Sequence, residues 1–159
     1  MNNNVIVALE EKLNSSGLST IAYNMERTSF CGGEEAAELE FIVKYATAKY
    51  KQVRIVGYSY GSLIALKTRE IPVICISPPL DYCVLLLLQN SSSFLQDCSA
   101  NCLLIVYGMG DVFCSQSSAC KLSAAVNAEI EIIEGGHFWH EKEALLAEMV
   151  TKLLIEADQ

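Results

Sequence analysis

Residues 53–66 read VRIVGYSYGSLIAL. Four mostly apolar residues, Val53 to Val56, run into Gly57-Tyr58-Ser59-Tyr60-Gly61, and an amphipathic stretch follows. The period changes across the glycines. The β-branched run before them reads as a strand, and the residues from Tyr60 to about Arg69 read as a helix. A serine at that junction, with glycine two residues away on each side, sits on a sharp turn that holds a hydroxyl clear of the sheet. The alternative is a tight turn with a solvent-facing serine.

Working outward, the two periods alternate along the chain. Val5, Ala8, Leu9 and Leu13 are spaced for a helix after an Asn run that can supply an N-cap, and Gly17 closes it. LSTIAY (18–23) reads as a strand, and Glu34 to Lys51 reads as a helix with an acidic first turn. After the strand VRIV (53–56) and its helix come the strand IPVICI (71–76) and a long irregular connection, Ser77 to Ala100. NCLLIVYG (101–108) is a strand, Ser115 to Asn127 a helix, and AEIEII (128–133) the last strand. A helix from about Glu141 carries Leu145, Leu146, Met149, Val150, Leu153 and Leu154 at three-and-four spacing. Short, continuous, β-branched strands are the kind buried on both faces. The expected fold class is therefore α/β: a three-layer sandwich, with a mostly parallel sheet of about five strands and helices on both faces.

The length, 159 residues, points to a single domain over 1–159 with a sizeable core. The net charge is −8 and no basic cluster occurs, which argues against nucleic acid and anionic membranes as partners. The apolar run Tyr82 to Leu88 is far short of the roughly 20 residues that span a bilayer. The N-terminus has no basic segment of the signal-peptide type. Seven cysteines, an odd number, then read as reduced thiols in a cytoplasmic setting. The CxxxC of Cys98 and Cys102 lacks the tighter paired knuckles of a zinc site, so neither metal nor cofactor is expected. Cys31 and Cys114 fall in predicted loops near the serine, with nothing nearby that would lower a thiol pKa.

In open parallel sheets, sites form at the carboxyl ends of strands. Ser59 follows the second predicted strand, Asp111 follows 101–108 through Met109-Gly110, and His137 follows the last strand through Gly135-Gly136. A serine hydroxyl needs an adjacent base, a histidine can be that base, and a carboxylate fixes its tautomer. The main-chain N–H of Tyr60 would face a developing oxyanion. Asp81, after the strand 71–76, is a rival for the acid, and His140 for the base. Val84 to Leu88 reads as a core helix, with a small cap lining an acyl pocket as the other reading.

With GYSYG (57–61), GMGD (108–111) and HFW (137–139) together, the chain resembles the compact α/β-hydrolases over nearly its whole length. The resemblance implies Ser59 as nucleophile, Asp111 as acid and His137 as base. It implies a serine hydrolase that acts on a small-molecule acyl substrate, an ester or thioester, through an acyl-enzyme. The alternative is a non-catalytic binding or scaffold relative, or an inactive fragment. The family has three strands before the point corresponding to Met1, and the loop after the third supplies a second oxyanion N–H. By that comparison the chain begins late, and a fragment or a misplaced start is one of three readings. The family's third strand lies between its fourth and fifth, to which 18–23 and VRIV correspond. Those two segments are expected either to pair directly or to leave a gap, which an oligomeric partner's strand could fill. The stretch YNMERTSFCGG departs from the family's F-N-x-R-G-x-G-x-S pattern, with Glu26-Arg27 near the usual Arg-Gly.

Overall fold

The apolar run before the elbow becomes strand β1 (Ile55–Tyr58) in the computed structural model, which describes residues 3–23, 32–98 and 101–156. β1 starts and ends two residues later than the apolar pattern suggested. The ladder explains the shift: Gly57 pairs with Cys75 and Tyr58 with Ile76, so the first elbow glycine and the tyrosine belong to the sheet. β2 (Pro72–Ile76), β3 (Asn101–Gly108) and β4 (Glu129–Ile133) complete a four-stranded sheet in the order β1-β2-β3-β4, and every pairing is parallel. Val73 to Ile76 and Leu104 to Gly108 are each buried without a break. A strand buried at consecutive positions has both faces covered, as the continuous β-branched pattern required.

Helix α2 (Gly33–Thr47) precedes β1, and α3 (Tyr60–Ala65) follows it directly. α3 packs on β1 and β2, and its core residues Leu63, Ile64 and Ala65 have no exposure. The described part of the connection, 77–98, is more ordered than its composition suggested. It holds a single 3₁₀ turn (Leu80–Tyr82), α4 (Cys83–Leu87) and α5 (Ser91–Asp97). Within it, the polar run 90–94 supplies the N-cap and first turn of α5. The Asn90 side chain accepts from the Ser93 N–H, and Phe94 is fully buried. A cap and one anchor outweigh the weak helix propensity of three serines. α6 (Gln116–Val126) joins β3 to β4, capped by Ser115 and ended by Asn127 in the left-handed conformation.

These elements belong to one compact unit, Met25–His137; the second unit joins Met1–Asn24 to Phe138–Gln159. There α1 (Asn4–Ser15) begins at Asn3, whose side chain accepts from the Val5 and Ile6 N–H groups, and Gly17 follows at φ 85. α1 packs against α7 (Glu143–Glu156) through buried stripes, Val5, Leu9 and Leu13 on one and Leu146, Val150 and Leu154 on the other. Residues 18–23 form no strand, so the described sheet has four strands rather than five and β1 is at its edge. Of the two expectations for 18–23, direct pairing with the strand before the elbow is therefore not found among the described residues. A strand is defined by its ladder partner, and this segment has none among the described residues, with Ile21 half exposed. Cys31 and Glu26-Arg27 lie outside the described residues.

Candidate active site

At the end of β1 the backbone turns through Ser59, which has φ 52 and ψ −124. Few non-glycine residues adopt positive φ, and such strain persists only where the surroundings hold it. Here they do. The Ser59 N–H donates to the Ile76 carbonyl at 2.9 Å, and the Ser59 carbonyl accepts from the Ser62 N–H at 2.9 Å. Strand end and helix start thus grip the same residue. A Cβ on Gly57 would lie 2.6 Å from Ser62 Cα and 2.8 Å from the Gly61 carbonyl oxygen, so only glycine lets the helix return this close to the strand.

Two further loops are tied to each other at the ends of β3 and β4. The Met109 N–H donates to the Ile133 carbonyl at 2.9 Å and the Gly110 N–H to the Gly135 carbonyl at 2.8 Å. A Cβ on Gly108 would meet the Gly135 oxygen at 2.7 Å. This zipper brings Asp111 and His137 together. His137 Nδ1 is 2.9 Å from Asp111 Oδ2 and 3.1 Å from Oδ1, and His137 Nε2 is 2.7 Å from Ser59 Oγ. Asp111 Oδ1 also accepts from the Phe113 N–H at 2.8 Å. A carboxylate only accepts, so Nδ1 carries the hydrogen and Nε2 is left to accept from the Ser59 hydroxyl. Asp111 and His137 are 8% and 6% exposed, enough burial to shield the pair from water. The Phe113 ring packs on the imidazole, its centroid 4.5 Å away, and Tyr82 packs on Phe113 in turn.

The rivals have other partners. Asp81 Oδ2 accepts from the Ser115 N–H at 2.6 Å, and Oδ1 accepts from the Ser118 hydroxyl, so this carboxylate braces the start of α6. Burial opposes its ionisation, but the bonds from Ser118 and Ser115 outweigh that and hold its pKa below the usual value. His140 is exposed and its ring lies beside Phe138. Burial is the main cause that pushes the Cys114 thiol up to about 12, which keeps it protonated and inert. The run 84–88 is only partly core. Leu87 is buried, while Val84, Leu85 and Leu88 are 55%, 68% and 66% exposed, because a one-turn helix can bury only one face. Tyr60 is the first residue of α3, and a first helical N–H lies outside the intrahelical ladder. A contact that no local pattern signals joins the Tyr58 hydroxyl, as donor, to the His137 carbonyl at 2.9 Å. Alternation along the strand would have shown which side Tyr58 takes, but not the loop it meets.

No protein-family model and no curated protein sequence matches the chain. Solved structures do match. Est1E from Butyrivibrio proteoclasticus with ferulic acid bound superposes with a TM-score of 0.78 at 17% identity, over 98% of this chain and 83% of that one. The Pyrococcus furiosus esterase Pf2001 gives 0.78 at 16% identity over 98% and 76%. An α/β serine hydrolase homologue from Coxiella burnetii gives 0.73 at 20% identity over 97% and 77%. The chain has the α/β-hydrolase fold. No described helix is long and apolar enough to cross a membrane.

Proposed function

We propose that this protein is a serine hydrolase acting on a small ester, thioester or related acyl compound. The observation that carries the reading is the unbroken hydrogen-bonded chain from Ser59 Oγ through His137 to Asp111, with the serine on a strained turn. Ser59 Oγ attacks the acyl carbon and its proton passes to His137 Nε2. Asp111 holds Nδ1–H and stabilises the imidazolium. The Tyr60 N–H stabilises the oxyanion. The tetrahedral adduct then expels the alcohol or thiol, which takes the proton from Nε2. Water, deprotonated by the same nitrogen, attacks the acyl-Ser59 carbonyl, and the acid leaves as the proton returns to Oγ. Est1E binds ferulic acid, and a carboxylic acid is what such a reaction would release here.

The test is turnover of short p-nitrophenyl esters and labelling by a fluorophosphonate probe. Labelling should map to Ser59. Ser59→Ala should lose turnover by roughly 10⁴- to 10⁶-fold. A folded wild-type protein that neither turns over nor labels would leave the non-catalytic binding or scaffold reading.

A further inference from the structure

His137 is hydrogen-bonded on its ring and on its main chain: the ring meets Ser59, the ring meets Asp111, and the carbonyl accepts from the Tyr58 hydroxyl at 2.9 Å. The first two are the contacts that a proton relay must use and remake during turnover. The third is not part of the relay. The chain reaching His137 passes through Gly135 and Gly136, the residues that restrict backbone rotation least. This loop is tied to the Asp111 loop at Ile133 and Gly135, two residues before the histidine. The Tyr58 hydroxyl adds a bond at the His137 main chain itself.

We propose that Tyr58 is a positioning residue, whose hydroxyl fixes the His137 backbone relative to the nucleophile; the inference rests on the hydrolase reading above. Tyr58 directly precedes Ser59 and is paired in the ladder with Ile76. Any displacement of the elbow therefore carries the clamp with it, and nucleophile and base keep their spacing. The tyrosine ring also lies tilted near the imidazole, 5.9 Å between centroids, but a phenylalanine would supply that packing equally. What is specific to tyrosine is the donor. A misplacement of about 1 Å can lower a rate by as much as 10²-fold, and one lost anchor among several should do less.

Tyr58→Phe removes the donor and keeps the ring. Expected is a kcat on p-nitrophenyl butyrate lower by about tenfold, equivalent to about 1.4 kcal/mol, with KM within about twofold. A merely structural role would change the melting temperature rather than divide kcat from KM. The second readout does not need turnover. The chain has two histidines, so the ¹⁵N shifts of ring-labelled protein report the tautomer of His137, with exposed His140 as internal reference. Wild type should show the Nδ1–H form, and Tyr58→Phe a mixture of tautomers. Unchanged ring shifts in Tyr58→Phe overturn the clamp, and so does an unchanged kcat in an active enzyme. If the wild type proves inactive, the hydrolase reading fails on its own, and the ring shifts alone decide whether Tyr58 positions His137.

Discussion

Two loops each offer an aspartate beyond the end of a strand, Asp81 after β2 and Asp111 after β3, and the fold uses them oppositely. The loop of Asp111 is zipped to the loop after β4, so its carboxylate ends up buried against His137. The loop of Asp81 continues into α4 and α5, and its exposed carboxylate turns to Ser115 and Ser118 at the start of α6. Emerging beyond a strand end makes a carboxylate available. What that loop is tied to decides whether it meets a histidine or a helix end.

The sharpest break of this contrast is Asp111→Asn against Asp81→Asn, both assayed for ester turnover. Asp111→Asn should lower kcat by about 10⁴-fold, because an amide no longer enforces the Nδ1–H tautomer. Asp81→Asn should leave kcat within about twofold. Equal losses would mean the two carboxylates act as one unit. Next in size is Gly108→Ala. Its methyl would stand 2.7 Å from the Gly135 oxygen, a backbone atom that cannot swing aside. The loops should part, with turnover down by about 10²-fold and the midpoint of urea unfolding lowered. An alanine variant with wild-type kcat would show that the zipper does not set the Asp111–His137 geometry.

Asp81→Asn should still weaken the fold by about 0.5–1 kcal/mol, since the exposed carboxylate's bonds are discounted by solvent. That is a melting temperature lower by about 1–4 °C. The smallest effect is its pH dependence. The folded pKa of Asp81 lies below its ordinary value, so its contribution is present above the unfolded pKa of about 3.9 and fades as pH falls through the folded value. Wild type and Asp81→Asn should therefore differ in melting temperature at pH 7 and converge in acid below about pH 4. A difference that persists at pH 2.5 would mean the serines do not need the charge.

Much of this was legible in the sequence for a physical reason. Apolar period and glycine chemistry act locally, so β3, the N-cap of α1 and the place of Ser59, Asp111 and His137 beyond the ends of strands could be read directly. The choice of Asp111 over Asp81 could not, because it depends on a bond between Gly110 and Gly135 across two loops. LSTIAY has strand composition, yet a strand also needs a ladder, and no local pattern reports its absence. The α5 segment hid behind three serines because its anchor, Phe94, counts as one apolar residue in a polar run. The contact of Tyr58 was not legible either, because its hydroxyl meets a residue 79 positions away in the chain.

If the proposed function holds, the positive φ of Ser59 sets that function against robustness. Glycine reaches that conformation without the strain of about 1–3 kcal/mol that a side chain meets there. Ser59→Gly should therefore melt later than the wild type while hydrolysing nothing. On this account the hydroxyl is kept in a place where the fold alone would favour having no side chain, and thermostabilising selection without an activity screen would tend to remove it first.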